Sequence, residues 1–313
     1  MRVLITGASG FAGQWLARAC AQAGDEVTGV SRSGATPSGR GVALDLRDTD
    51  AVATLVASVE PEVVYHLAAL SHVGRSWSDP GATLDANVSG AASLLEAIRL
   101  HAPEARVVWA SSCEVYGTVA QLPVTEQAPL HPVNPYAVSK AAGEMLAAVY
   151  ADAHGLSIVR ARPFNHVGPG QLPIFIVSSL ARQAAAARRA GDTTLEITTG
   201  NPETRRDYTD VRDVVAAYRL LAAVDIAPGA YNIATGSSVS SGELVSLVAS
   251  LVPEIEVRHA VDPAQVRAHE VMDHRGSHAA LSAATGWQPT IPLRQTMVDT
   301  LAWWEQDLAE IPN

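Results

Sequence analysis

Two cysteines in 313 residues close off several classes of protein at once. Cys20 and Cys113 stand far apart, so there is neither a disulfide framework nor a CxxC redox pair. Histidines such as His66, His72 and His274 are scattered without the spacing of metal ligands, and no metal is expected. Positive charge is also short: 22 Lys and Arg against 32 Asp and Glu give a formal net charge of −10, with no basic tract. Nucleic acid is therefore not an expected partner, because phosphate backbones need a basic footprint. An anionic small molecule is compatible, since a few local arginines can hold one inside an acidic protein. No apolar run approaches the length of a membrane span. The start, MRVLITGASG, has one charge and too short an apolar run for a signal peptide, so Val3–Ile5 reads as a strand. A cytoplasmic protein is expected.

What is present suits a folded protein with a large core: 48% hydrophobic and 17% charged residues. Short apolar runs at Val3–Ile5, Glu26–Val30, Val42–Leu44, Val63–His66, Arg106–Ala110 and Ser157–Arg160 read as strands. Between them Phe11–Ala23, Ala51–Val59, Ala82–Leu100 and Tyr136–His154 carry apolar residues at helical spacing. Continuous apolar strands alternating with helices indicate a doubly wound, Rossmann-like α/β sheet. Its ligands should sit at the strands' carboxyl ends. After about Arg162 the rhythm changes and loops mix with helices. The expectation is a dinucleotide-binding part, residues 1–162, and a smaller mixed α/β substrate-binding part, residues 163–313. The two pack as one unit around a cleft.

Directly after the first strand comes TGASGFAG, with Gly7, Gly10 and Gly13, and then a helix. Glycines in this place let the backbone approach a pyrophosphate seated on the helix N-terminus. The end of the second strand distinguishes two dinucleotides. An NAD site would carry Asp or Glu there, whereas this chain has Ser31 and Arg32, which suit a 2′-phosphate and hence NADP(H). Asp45, in ALDLRD, either bonds the adenine or caps the next turn.

In NPYAVSK, Tyr136 and Lys140 lie four apart and share one helix face. A nearby ammonium favours the phenolate, as would an oxidised nicotinamide, giving a phenol able to exchange a proton near neutrality. In WASSCEVYG, Ser112 lies where the fifth strand ends and can bond a substrate oxygen beside Tyr136. Ser111 is the competing assignment.

TGASGFAG, HLAA at 66–69, Ser112 before VYG, and the Tyr136/Lys140 pair together resemble the extended short-chain dehydrogenases/reductases, from the first strand to nearly the last helix. The resemblance implies a nucleotide-sugar enzyme in which Lys140 tunes Tyr136 and bonds the nicotinamide ribose. It implies cofactor contacts at Phe11, Ala12, Leu46, Ala68 and Pro163. It implies substrate contacts at Ser112, at Asn165 of RPFNHVGPGQ and at Arg206 before Asp207. Arg267 and Glu270 of VRAHE would hold a phosphate and the nucleotide ribose.

Within the family, FNHVGPGQ with GNPETRRDYTDVRD most resembles members that reduce GDP-4-keto-6-deoxy-D-mannose at C4 with NADPH, giving GDP-D-rhamnose. A 4,6-dehydratase is the alternative, with Glu114 as its extra acid or base. Cys113 is a poor substitute for the aspartate some dehydratases carry there. A 4-epimerase fits less well, because the acidic NAD signature is missing at Ser31. A non-catalytic NADP(H) sensor is disfavoured by the intact Tyr136/Lys140 pair. His166 stands in the cleft by position, Asn87 fits an asparagine that props the active-site backbone, and Trp303 and Trp304 read as core packing. The resemblance also implies a homodimer, since relatives pair the two helices that correspond to 82–100 and 136–154 across a dimer axis and their alanine-rich faces here allow close packing; a tetramer is the alternative.

Overall fold

The computed structural model describes residues 1–265 and 271–309. In chain order the first half is β1 (Arg2–Thr6), α1 (Phe11–Gln22), β2 (Glu26–Ser31), β3 (Arg40–Ala43), α2 (Thr49–Val59), β4 (Val63–His66), α3 (Val73–Ser78), α4 (Pro80–Leu84), α5 (Gly90–His101), β5 (Arg106–Ala110), α6 (Pro135–His154) and β6 (Ile158–Pro163). Along β1, Val3 and Ile5 enter one core and Leu4 enters the other. A strand buried on both faces has no solvated side, which is why its sequence reads as an unbroken apolar run. In α1 the buried residues Gly13, Leu16, Ala17 and Cys20 recur at helical spacing and face the sheet.

The second half continues with β7 (Asn165–Val167), α7 (Ile176–Ala190), β8 (Thr194–Thr199), β9 (Arg205–Arg206), β10 (Tyr208–Asp210), α8 (Val211–Leu221), β11 (Gly229–Ile233), β12 (Val239–Ser240), α9 (Ser241–Leu251), β13 (Glu256–Val261), β14 (Asp273–His274), α10 (Ala279–Thr285) and α11 (Leu293–Ala309). The main sheet is parallel with strand order β11-β6-β5-β4-β1-β2-β3. The doubly wound α/β class is thus met, with its switch point between β1 and β4. The order also shows the chain returning: β11 hydrogen-bonds to β6, with Gly229 opposite Val159. Residues of α8 and α1 share the core beneath that side of the sheet. A separate core lies under α7, α9 and α11.

One element differs from its sequence reading. The helix expected over 82–100 is broken by a wide π turn at Asp85–Ser89 between α4 and α5. The turn carries Asn87 inward. Its amide oxygen accepts from the Leu70 N–H at 2.7 Å, and its nitrogen donates to the Leu70 carbonyl at 3.2 Å and to Ser139 at 2.8 Å. Ser139 in turn donates to the Tyr136 carbonyl at 2.7 Å. A π turn at such a place is typical of functional sites, and here one asparagine ties the loop after β4 to α6.

Arg106, at the start of β5, is 1% exposed and forms no ion pair among the described residues. Its guanidinium instead donates to the carbonyls of Leu221 at 3.1 Å and Ile226 at 2.8 Å, and to Ser157 at 2.8 Å. Leu221 ends α8, so the cation sits where a helix presents unpaired carbonyls. Arg106→Met leaves those carbonyls without donors and is expected to cost about 2–3 kcal/mol, read as a lower urea midpoint.

Candidate active site

A cavity of about 1040 Å³ runs from the carboxyl ends of β1, β2 and β4 to the loops of the second half. That is at the upper end for one small-molecule site and leaves room for two ligands end to end. At its first end lie Gly7, Gly10, Phe11, Ala12 and Gly13. Gly7 has φ of 76°, and a Cβ on it would stand 2.7 Å from the Ala68 nitrogen. A Cβ on Gly13 would collide with the Gly7 carbonyl oxygen. Gly10 precedes α1 without any side-chain cap. Bare first-turn N–H groups at a helix N-terminus, with no Cβ in the way, form the cradle a pyrophosphate requires.

Ser31, Arg32, Asp45, Leu46 and Ala68 line the same end. Ser31 donates to the Ala35 carbonyl at 3.1 Å, which shapes the turn after β2. The carboxylate of Asp45 accepts from the backbone N–H and the guanidinium of Arg47, both at 3.0 Å, so it serves its own turn. Arg47 also reaches Asp85 at 2.7 Å. These bonds hold the Asp45 carboxyl down, at about 2. Arg47, which the sequence reading passed over, thereby clips β3's loop to the π turn.

At the centre, Ser112 and Tyr136 meet. Ser112 follows the end of β5 by two residues in extended backbone and caps a single 3₁₀ turn, Cys113–Tyr116; its oxygen accepts from the Glu114 N–H at 3.2 Å. Its side chain lies by the Tyr136 hydroxyl and acts to lower the pKa of that phenol. Adjacent residues of an extended strand point to opposite sides. Ser111 accordingly points away and donates to the buried carboxylate of Glu144 at 2.5 Å.

Tyr136 and Lys140 lie in the first turns of α6, which begins with Pro135 and is capped by Asn134, whose oxygen accepts from the Ala137 N–H at 2.8 Å. Lys140, the only lysine in the chain, donates to the Ala110 carbonyl. Burial lowers its ammonium to about 8 against the pull of Glu144. The sequence expects the Tyr136 phenol to be drawn toward neutrality. Instead burial pushes it above its ordinary value, outweighing the effect of Ser112, and Glu114 and Cys113 add to the rise. In the protein's own field the phenol is neutral and holds its proton.

Glu114 lines the cavity and accepts from the Asn134 amide at 3.0 Å. Cys113 is buried, and burial raises its thiol well above the usual range. At the second end Pro163, Asn165 and Arg206 line the cavity. Parallel pairing of β7 with β10 sets Asn165 opposite Tyr208. Arg206 donates to the carbonyls of Val271 at 2.7 Å and Arg205 at 2.8 Å. Arg267 and Glu270 lie outside the described residues.

Three histidines that spacing left without a role are placed by the fold. His72 caps α3, accepting from the Arg75 N–H at 2.9 Å. His274 lines the cavity from β14, opposite Arg206 in the pairing with β9, and its Nε2 has no hydrogen-bond partner among the described residues. His66 is buried at the end of β4, 2.8 Å from the Thr6 hydroxyl and against the Trp109 ring. Burial, and then the Lys140 ammonium, lower His66 to about 3. Its folded value lies below the ordinary 6.5, so its contribution to stability is present above that pH and is lost as pH falls toward 3. At pH 5 the loss is about 2 kcal/mol relative to pH 7.5. Thermal melts at the two pH values read it, and His66→Asn is expected to remove that part of the difference.

A parallel sheet with a glycine cradle after β1, and Ser, Tyr and Lys gathered where β5 ends and α6 begins, defines an NAD(P)-dependent enzyme of the extended short-chain dehydrogenase/reductase class. The chain belongs to the GDP-mannose 4,6-dehydratase family, whose model matches residues 4–300. It is 37% identical over 268 residues to the GDP-6-deoxy-D-mannose reductase of Pseudomonas aeruginosa, covering 85% of this chain and 87% of that protein. It is 28% identical to the GDP-mannose 4,6-dehydratase of Vibrio cholerae, covering 96% and 92%. Among solved structures it is similar to RMD from Pseudomonas aeruginosa complexed with NADPH, with TM-score 0.84 and 33% identity over 98% of this chain and all of that one.

Proposed function

We propose that the chain reduces the C4 ketone of a nucleotide 4-keto-6-deoxyhexose with NADPH, converting GDP-4-keto-6-deoxy-D-mannose to GDP-D-rhamnose. The observation that carries this reading is the meeting of Ser112 and a neutral Tyr136 midway along a cavity that joins the glycine cradle to Asn165 and Arg206. Residues 1–162 supply the dinucleotide site and 163–313 the sugar-nucleotide site. Gly7, Gly10 and Gly13, with the first turn of α1 at Phe11 and Ala12, hold the pyrophosphate. Ser31 and the exposed Arg32 take the 2′-phosphate, which favours NADP(H) over NAD. Asp45 and Leu46 would border the adenine, and Ala68 and Pro163 the nicotinamide.

When bound, the dinucleotide supplies the two electrons and the hydrogen of the reduction. The chain does the rest. Ser112 donates to the ketone oxygen and fixes its position, and Tyr136 transfers its phenolic proton to that oxygen as charge develops. Lys140 keeps a positive charge near the phenol and would bond the nicotinamide ribose. Asn165 and Arg206 hold the substrate diphosphate, and Arg267 and Glu270 keep the roles their motif implies.

The dehydratase alternative rests on Glu114, which faces the same cavity. Two features weigh toward reduction: Glu114 is bonded to the helix cap Asn134, and the buried Cys113 thiol is a poor acid. The outer face of α4 and α6 leaves Leu84, Val138, Met145 and Val149 exposed, which supports a homodimer through these helices. Two free, buried thiols suit a reducing cytoplasm.

The test is direct. Rapid loss of NADPH absorbance with GDP-4-keto-6-deoxy-mannose, and no keto sugar from GDP-mannose alone, is the expected result. Keto sugar formed from GDP-mannose without net NADPH use would overturn the reductase reading and make Glu114 the central residue.

A further inference from the structure

Behind the site lies a buried polar assembly that the reaction above does not use. Glu144 stands one helical turn after Lys140 on α6 and is 1% exposed. Its carboxylate accepts from Arg162 of β6 at 3.0 and 3.1 Å and from the Ser111 hydroxyl at 2.5 Å. Arg162 also donates to the Tyr116 hydroxyl at 2.7 Å, and Tyr116 donates to the Asn232 side chain of β11 at 2.7 Å. One residue of this assembly adjoins a catalytic group: Ser111 precedes Ser112, and Ala110, before it, accepts from Lys140.

We propose that Glu144 is a positioning residue for the Ser112/Tyr136/Lys140 set: it clamps the end of β5 to α6 and supplies the negative charge that keeps Lys140 an ammonium.

A buried carboxylate is retained only when its oxygens are satisfied, and here Arg162 and Ser111 satisfy them. Arg162 and Ser111 bond the carboxylate at the rear, while its charge still acts on Lys140 one turn back along the helix. The groups around the pair are Arg162 from β6, Tyr116 and Glu114 from the 3₁₀ turn, His66 from β4 and Tyr136 from α6 itself, with Glu114 held by the helix cap Asn134. Glu126, in the loop before α6, accepts from Arg162 through its carbonyl at 3.3 Å and from the Asn232 N–H through its carboxylate at 2.7 Å. His66 is neutral and the phenols hold their protons; among the described residues Glu144 is the carboxylate whose charge acts on Lys140, while that of Glu114 acts on Tyr136. Burial alone drives Lys140 down, and Glu144 opposes it.

The inference rests on Lys140 working in the site as proposed, but its test needs no substrate. Lys140 is the only lysine, so full-length protein labelled with [13Cε]lysine shows a single signal whose pH titration reads this ammonium alone. The wild-type midpoint is expected near 8. Glu144→Gln should lower it by at least about one unit, a tenfold loss of proton affinity, and Glu144→Asp should restore it. An unmoved midpoint in Glu144→Gln overturns the proposal. Should that variant fail to fold, Ser111→Ala decides. It removes a donor that shares the carboxylate's charge, so the Lys140 midpoint rises; one that stays or falls overturns the proposal. The titration as expected, together with no turnover of the keto sugar, would fault the substrate reading and leave this inference standing.

Discussion

Tyr136→Phe is expected to lower kcat by about 10²- to 10⁴-fold while NADPH affinity and Tm stay near wild type. The ring is buried, so phenylalanine keeps the packing and loses only the hydroxyl. That hydroxyl carries the proton the developing alkoxide must receive, and burial with the Glu114 charge ensures that it is present at neutral pH. Its donation is made fully only in the transition state, so kcat and kcat/KM should fall by similar factors. Steady-state kinetics at saturating NADPH provide the check. A fall of less than about tenfold would mean that the proton comes from another group.

Gly13→Ala should weaken NADPH binding by about 10²-fold and destabilise the fold by about 1–3 kcal/mol. The added methyl meets the Gly7 carbonyl and the backbone of Ala8, which cannot rotate aside as a side chain would. The start of α1 must therefore move away from β1, taking the first-turn N–H groups off the pyrophosphate position. Fluorescence titration of NADPH and a melting curve report the two effects separately. Gly81→Ala is the control: it also lies in a helix, but its added methyl meets open space, and neither quantity should change.

Most of the main sheet was legible because its physics is local. Strands such as Val63–His66 and Arg106–Ala110 announce themselves by being apolar on both faces, and the observed bounds coincide. The glycine cradle was legible for the same reason, since the backbone geometry and the residues that permit it are neighbours in sequence. What stayed hidden depends on partners far along the chain. Ser111 and Ser112 are indistinguishable by type, and only the fold turns one toward Glu144 and the other toward Tyr136. Glu144 reads as a polar helix residue until Arg162 is folded against it, although its place four residues after Lys140 was a usable signal. The π turn at Asn87 leaves the helical apolar pattern almost intact, so periodicity runs straight through it. His274 and Arg206 meet through a parallel pairing of two-residue strands, too short to leave any pattern.

The return of β11 to the edge of the main sheet bears on the order in which the protein can be made. During synthesis β6 emerges and pairs with β5, and its other edge then waits until β7 through α8 have followed. Through that interval a nascent chain exposes a row of unpaired backbone groups on a strand with buried, apolar residues at Ile158, Val159 and Ala161. A chain stopped at residue 162 keeps that edge permanently open and loses the α8 carbonyls that Arg106 satisfies. Such a fragment should aggregate rather than behave as a free dinucleotide-binding domain.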